Sequence, residues 1–473
     1  MTPALSEDLI AVRRGLSRIM APVFLVLAVI LGGSREGVLT SAALQVFAAA
    51  VLLALLFSPR TIAPSRSAKL LLALFALFVG LALLQLVPLP PDVWARLPGR
   101  EPVVEGFAAL GEPLPVLPLS MAPAETIQGL LTFLPAIAGF FLVAGLGPAK
   151  TGSGLAIGLA VATALSCLVG VVQIATGANS PLYFYAFTNW GNPVGFFANV
   201  NHQATLCLMT FPFLAVLVGR LRLAFAVGER DYARLVLLTG LGLLAPLGVM
   251  IAGSGAGYGL FGPTLIASLF LLRTKTPGRG GVLLLLVLAL ALAGLGNLVA
   301  SSPILENLGI PSPMLGPGSR TDTWQRTFEA FKDTFPVGAG FGAFTALFPA
   351  YEDPFFVTRT VWNNAHNDYI EFALEMGAPG VCLMVLLLGW IGWRSVIVWT
   401  RSGAEIAPYA RAASIALLVV IAHSVVDYPL RTGAVASLSA MCLALLSFDP
   451  ASSAATSRRR RRERGLAHAH VEL

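Results

Sequence analysis

Long apolar runs constrain the fold of this chain more than any other feature of its sequence. A backbone inside lipid must satisfy its own hydrogen bonds, so apolar runs of roughly 17–25 residues predict transmembrane helices. We therefore predict an all-α polytopic membrane protein with about twelve transmembrane helices. The runs cover residues 19–33, 37–57, 68–87, 124–146, 153–176, 202–219, 235–252, 257–272, 281–300, 379–399, 410–426 and 432–448.

The composition supports the same class. Only 12% of the 473 residues are charged, whereas soluble domains carry about 25%. The net charge is +7, but the positive residues lie between the predicted spans, so this charge does not indicate nucleic-acid binding. The four cysteines fall inside apolar runs without metal-ligand spacing, so we expect neither disulfides nor a zinc site. They are Cys167, Cys207, Cys382 and Cys442.

The distribution of Lys and Arg predicts the orientation. Alternate short loops are rich in positive charge, which places both termini in the cytoplasm, with Met1–Arg18 preceding an uncleaved first span. The basic tail Arg458–Arg462 is then cytoplasmic and meets anionic lipid. The long segments 88–123 and 301–365 lie outside, and we expect the first to be extended or turn-like because it is rich in proline.

Four parts follow from this pattern. Residues 1–300 form an N-terminal transmembrane bundle of about nine spans. Residues 301–365 form a large outer loop, residues 366–448 form the C-terminal transmembrane helices, and residues 449–473 form the polybasic tail.

The large outer loop contains a predicted short amphipathic helix. Ser319 to Asp322 reads as a capping box, and aromatic residues from Trp324 to Phe335 recur on one face. We expect this helix to lie on the membrane or against the outer ends of the spans. From this helix, Arg320 can reach lipid phosphates. The alternative is that Arg320 is a snorkelling arginine, with its stem on apolar surface and its charge in water. The glycines of Gly338–Gly342 lack dinucleotide-binding spacing and favour close backbone contact.

His366 lies at the start of the next predicted helix. Asn363 and Asn364 can cap that helix, and Gly377 fits its left-handed end. A neutral histidine at a membrane border suits general-base chemistry. A capping histidine at a loop–helix junction is the alternative.

Other polar residues fall on the same outer side. Asn199, Asn201 and His202 follow an aromatic stretch typical of an interfacial belt. His423 and Asp427 are spaced i, i+4 at the end of a span, and ionisable residues there are functional candidates. A structural tie between Asp427 and Arg431 is the alternative.

Several of these motifs resemble the O-antigen ligase and O-antigen polymerase superfamily. His366-Asn367, nine residues, Gly377, two residues and Gly380 is similar to its signature, and the string from His423 to Arg431 is similar to its late element. The resemblance implies a helical membrane glycosyltransferase with a large periplasmic loop and a polyprenyl-pyrophosphate-linked glycan donor. One departure is that Gly253–Gly257 lacks the arginine that related ligases often carry.

The chemistry of transfer from such a donor suggests roles for individual residues. His366 is the expected catalytic base, and Arg320 and Arg431 are expected to bind the donor pyrophosphate. Supporting or acceptor-binding roles fall to Asn199, Asn201, His202, Asn367, His423 and Asp427.

The expected partners and location follow from the same resemblance. They are an undecaprenyl-pyrophosphate-linked glycan, an acceptor glycan or lipid A-core, and membrane lipids, with no cofactor, metal or nucleic acid. The protein is expected in the bacterial inner membrane with a periplasmic active site. Ligase and polymerase remain open. A transporter or flippase of lipid-linked sugars is the alternative class, and an inert scaffold is a third.

Overall fold

The fold is described by a computed structural model that covers residues 19–34, 38–57, 65–146, 148–272, 319–355, 357, 361–400 and 407–448. Seven helices in these ranges are long and apolar enough to span a membrane, and three further apolar helices are shorter. The prediction of a helical membrane protein is confirmed at this level. The predicted span 281–300, residues 1–18, the first part of the outer loop and the tail with Arg458–Arg462 lie outside the described residues.

The helices share a simple serial order. They are α1 Ile19–Leu31, α2 Leu39–Leu56, α3 Arg66–Leu84, α4 Pro91–Trp94, α5 Glu101–Leu110, α6 Pro123–Leu146, α7 Pro148–Thr176, α8 Val200–Ala226, α9 Tyr232–Ala252, α10 Gly255–Phe270, α11 Arg320–Thr334, α12 Phe344–Leu347, α13 Asp368–Thr400, α14 Ala407–His423 and α15 Gly433–Leu446. Short 3₁₀ turns cover Phe348–Ala350 and Pro429–Arg431.

The segment between α3 and α6 is more regular than its prolines predict. It contains α4, α5 and a two-stranded antiparallel ladder of β1 Pro88–Leu89 and β2 Leu117–Pro118. The indole of Trp94 is fully buried and donates to the carbonyl of Pro115 at 2.8 Å. The expectation of a purely extended or turn-like segment is therefore wrong, because proline is tolerated in the first turn of a helix, as in α4 and α5.

Helix α11 begins at the predicted residue, but the face that it buries is not the aromatic face noted in the sequence. Ser319 is its N-cap, and its hydroxyl accepts from the backbone N–H of Asp322. The buried face consists of Thr323, Thr327, Ala330 and Thr334. Phe328 and Phe335 of the aromatic stripe are about half exposed, at 50% and 49%. Small residues let the helix approach α13 closely, and aromatic rings are left on its outer side.

Gly377 interrupts α13 with a sharp kink. Its φ of 61° is left-handed, as the sequence predicts, but a second helical segment follows at once and continues to Thr400. A Cβ on Gly377 would lie 2.3 Å from the carbonyl oxygen of Pro336, and one on Gly338 would lie 2.5 Å from the nitrogen of Gly377. The close backbone contact predicted for Gly338–Gly342 is confirmed at Gly338, where the backbone of this segment packs directly against α13.

Contacts between helix ends define two ends of the bundle. At one end the N–H of Ala434 donates to the carbonyl of Gly32, and the N–H of Asp368 donates to Ser424. At the opposite end the hydroxyl of Ser65 donates to the carbonyl of Ser447. The loop between α3 and α6 and helix α11 lie at the first end, where the polar residues singled out by the sequence also converge.

Candidate active site

The centre of the site is a pair formed by His366 and Asp427. The Nδ1 atom of His366 lies 3.1 Å from Oδ1 of Asp427, although 61 residues separate them. Asp427 is fully buried, and the His366 side chain is 15% exposed. Because a carboxylate only accepts, Nδ1 carries the proton in this contact, and in the neutral imidazole Nε2 then holds the lone pair. His366 has a φ of 52°, which is uncommon for a residue other than glycine.

Asp427 is held by further donors. Its Oδ2 accepts from the side-chain amide of Asn201, and its Oδ1 accepts from the N–H of Tyr428 at 2.9 Å. Burial alone would raise the pKa of Asp427, but its hydrogen bond with His366 and the charge of Arg320 hold that pKa well below its usual range. The carboxylate therefore stays ionised beside the imidazole.

Asn201 links this pair to two other helices. Its Oδ1 accepts from the hydroxyl of Ser254 at 2.6 Å, and its carbonyl accepts from the hydroxyl of Thr205 at 2.8 Å. Thr205 in turn contacts Nδ1 of His423 at 2.8 Å. The side chain of His423 is thus linked to the carboxylate of Asp427 through Thr205 and Asn201, while the backbone N–H of Asp427 donates to the carbonyl of His423 at 3.0 Å.

Asn367 caps the helix that follows His366. Its Oδ1 accepts from the N–H groups of Tyr369 and Ile370 at 3.0 and 3.1 Å. Its amide donates to the carbonyl of Val425 at 2.9 Å. The prediction that Asn363 and Asn364 cap this helix is wrong, because the first turn begins only at Asp368 and these residues lie too far upstream.

Helix α11 meets the pair from the outer side. Nη1 of Arg320 donates to the carbonyl of Val426 at 2.7 Å, next to Asp427. One turn later, Nε1 of Trp324 donates to the carbonyl of His366 at 3.3 Å. The guanidinium is thus tied at the candidate site, which disfavours the snorkelling alternative for Arg320.

Arg431 is surrounded by carboxylates. Its Nη1 lies 2.8 Å from Glu375 and 3.4 Å from Glu371, and its Nε lies 3.5 Å from Asp368. Burial alone would lower the pKa of Arg431, but these three carboxylates raise it above its ordinary value. The alternative Asp427–Arg431 tie is not among the ion pairs of the described residues. The phosphate-binding role of Arg431 stays a prediction, and its surroundings favour holding the turn before α15 against α13.

Two cavities meet beside His366. The smaller one, of about 220 Å³, is lined by His366, His202, Asn199 and Tyr428. The larger one, of about 500 Å³, is lined by Trp362, Arg431 and residues of α6. Asn363 and Thr432 line both and form the boundary between them.

Sequence reasoning missed several residues of the site. Ser254 lies in the very loop that lacks the arginine of related ligases, but it was not recognised as a partner of Asn201. The ring of Tyr428 packs 4.8 Å from that of His366, and burial raises its pKa to about 12, so its phenol stays neutral. Tyr428 follows Asp427 directly, and this neighbourhood was the only available signal. Thr205 had no signal, and Trp324 was recognised only as the first residue of an aromatic stripe.

The comparison with protein families finds a match in the second half of the chain. Residues 240–385 match the family model described as O-antigen ligase. The matched segment includes Ser254, Arg320, His366 and Asn367, whereas Asp427 lies beyond it. No curated protein matches the chain. With the motif from His366 to Gly380, the match confirms the resemblance to the O-antigen ligase and polymerase superfamily that was drawn from the sequence.

Proposed function

We propose that this protein is a glycosyltransferase that moves a glycan from a polyprenyl pyrophosphate onto a sugar hydroxyl at the periplasmic face of the inner membrane. The donor is the undecaprenyl-pyrophosphate-linked glycan, and the acceptor is a second glycan or lipid A-core. The observation that carries the proposal is the His366–Asp427 pair, in which Nδ1 of His366 contacts Asp427 while the histidine also lines a polar cavity.

The geometry supports acid–base chemistry at His366. Asp427 fixes the tautomer with the proton on Nδ1, so Nε2 can take the proton of an acceptor hydroxyl. The acceptor oxygen then forms a bond to the anomeric carbon of the donor sugar. The bond between that carbon and the pyrophosphate oxygen breaks, and the lipid pyrophosphate leaves with the electron pair. Asn201, Asn367 and His423 act as supporting residues, because their contacts hold Asp427 and the backbone around His366.

A third cavity supports a lipid-linked substrate. It measures about 260 Å³ and is lined mainly by apolar residues of α3, α13, α14 and α15. It shares Phe133, Phe341, Leu430 and Arg431 with the larger cavity beside His366. An apolar cavity that adjoins the larger one suits a substrate whose reactive sugar is attached to a long hydrocarbon chain.

A transporter or flippase of lipid-linked sugars is less well supported. Transporters place ionisable groups near the middle of the membrane, on broken helices. Among the described residues, the buried ionisable groups around His366, Asp427 and Arg431 instead cluster at one end of the bundle. This arrangement favours chemistry at one surface over passage through the middle.

The direct test uses the full-length protein in lipid nanodiscs with a labelled undecaprenyl-pyrophosphate-linked glycan. Transfer of the label to an added acceptor, with release of lipid pyrophosphate, is expected. Lipid A-core as the effective acceptor would indicate a ligase, and a second donor glycan would indicate a polymerase. Movement of the labelled lipid between leaflets of proteoliposomes without transfer would favour the flippase instead.

Arg320 and Arg431 are expected to respond differently to substitution. Arg320→Ala should raise the KM for donor about tenfold or more, because a guanidinium that pairs with phosphate is lost while few protein contacts change. Arg431→Ala leaves three buried carboxylates without their cation and should lower stability by about 3–5 kcal/mol. Donor kinetics and thermal unfolding of both variants are the measurements. If Arg431→Ala is stable and has a raised donor KM, while Arg320→Ala is unaffected, then Arg431 binds phosphate and Arg320 does not.

The proposed orientation predicts which loops face the periplasm. Glu112 is exposed at the end of the bundle that carries His366, and Glu229 is exposed at the opposite end. In a Cys382→Ser background, which removes the native exposed thiol, an impermeant thiol reagent should label Glu112→Cys in intact spheroplasts. Glu229→Cys should react only after lysis. The reverse pattern would place the site in the cytoplasm.

A further inference from the structure

His202 is buried without a partner. Its side chain is 1% exposed, and neither ring nitrogen has a hydrogen-bond partner in the part of the chain that the structure describes. Buried polar groups are almost always paired, because an unpaired one loses its hydrogen bonds to water without replacement. His202 lies in the first turn of α8 and lines the 220 Å³ cavity beside His366. A hydroxyl of a ligand in that cavity would supply the missing partner of one of these nitrogens.

The cavity has the chemistry of a sugar site. Apart from the two histidines, its described lining residues carry no ionisable group other than the neutral phenol of Tyr428, so it offers no cation for a pyrophosphate. The lining does offer neutral amides and hydroxyls, which suit sugar hydroxyls, beside aromatic rings. These residues are Thr188, Asn189, Asn199, Asn363 and Thr432, with the rings of Phe187 and Tyr428.

The size and shape of the cavity indicate a single sugar ring. Its volume is below the roughly 300–1,000 Å³ of pockets that hold drug-sized ligands. The ring of Tyr428 packs between the two histidines, 4.8 Å from the ring of His366 and 5.0 Å from that of His202. A sugar in this cavity can present one hydroxyl to His366 and a different one to His202.

We propose that this cavity is the subsite for the terminal sugar ring of the acceptor, and that His202 selects and positions that sugar by hydrogen bonding to a hydroxyl that does not react. The proposal rests on the function proposed above and adds the acceptor's place in it. His366 takes the proton of the reacting hydroxyl, and His202 fixes the orientation of the ring.

The test compares His202→Phe and His202→Gln with the matched control Thr210→Val. Thr210 is a buried polar residue two turns further along the same helix, away from the cavity. In the transfer assay, His202→Phe should raise the KM for acceptor about tenfold or more, leaving the KM for donor unchanged, because a site built to bond a hydroxyl loses its partner. His202→Gln should recover part of that loss. Since no hydrogen bond within the described protein is removed, the melting temperature of His202→Phe should not fall below that of the control.

A binding measurement separates this proposal from the proposed function. Saturation-transfer NMR with methyl glycosides of glucose, galactose, mannose and N-acetylglucosamine needs neither donor nor turnover. Saturation transfer to at least one glycoside is expected with wild type and Thr210→Val, and it should be lost with His202→Phe. If that pattern holds but no glycan is transferred, the subsite stands and the proposed function fails. Equal signals with wild type and His202→Phe, or none with wild type, would overturn the subsite.

Discussion

Replacing His366 with asparagine, glutamine or alanine is expected to lower glycan transfer by about 10²–10⁴-fold, the usual contribution of a general base. Asparagine is the sharpest of these changes, because it tolerates the left-handed backbone that His366 adopts. Its amide can still donate to Asp427 but cannot accept a proton at neutral pH. The loss of rate should therefore come from chemistry, while acceptor and donor KM change little.

Folding is the alternative cause of lost activity, and the three variants separate the two causes. The amount of protein in the membrane and the melting temperature should match wild type for His366→Asn, and His366→Ala should be the least stable. A residue that only caps or positions the loop would tolerate asparagine or glutamine. If a well-folded His366→Asn or His366→Gln protein turned over at nearly the wild-type rate, His366 would not be the general base.

Asp427→Asn is expected to lower turnover by about 10²–10⁴-fold, although His366 remains in the site. The carboxylate accepts from Nδ1 of His366 and so keeps Nε2 free for the acceptor proton. An amide nitrogen in that place would favour the other tautomer, with Nε2 already protonated. Asp333→Asn is the matched control, because Asp333 accepts from the phenol of Tyr351 away from the site. Turnover of Asp427→Asn equal to that of the control would contradict a tautomer-fixing role.

The pH dependence of Asp427 follows from its depressed pKa. A carboxylate whose pKa in the folded state is lowered stabilises the protein above its unfolded value of about 3.9, and that contribution is lost as the pH falls towards the folded value. Between pH 5 and 8 Asp427 therefore stays ionised, and its own titration should not shape the rate profile. Melting temperatures of wild type and Asp427→Asn should converge only in acid.

Spacing in the sequence identified the individual groups of the site but not their pairing. His366 and Asp427 were both singled out, yet each was interpreted within its own helix. Their contact joins segments 61 residues apart through the packing of α13 against α14, which no local pattern encodes. Arg431 shows the same limit. The sequence shows the acidic stripe of Asp368, Glu371 and Glu375, but it does not show that Arg431 pairs with this stripe.

Helix α11 shows a different limit of sequence reasoning. Its N-cap at Ser319 was predictable, because capping depends on neighbouring residues alone. The buried face was not predictable, because aromatic periodicity indicates an apolar surface but does not show whether protein or lipid covers it. The small residues between Thr323 and Thr334 pack against α13, and the kink at Gly377 gives the outer loop its place on that helix.

The carboxylates around Arg431 also set an order for biosynthesis. Glu375 leaves the ribosome 56 residues before the arginine that neutralises it, an interval of about 3–11 s at typical elongation rates of roughly 5–20 residues per second. During that interval α13 carries three acidic groups without their cation, and they are poorly suited to lipid. The hairpin of α14 and α15 therefore completes the charge balance of α13, and a nascent chain that stops short of residue 431 leaves these carboxylates without their cation.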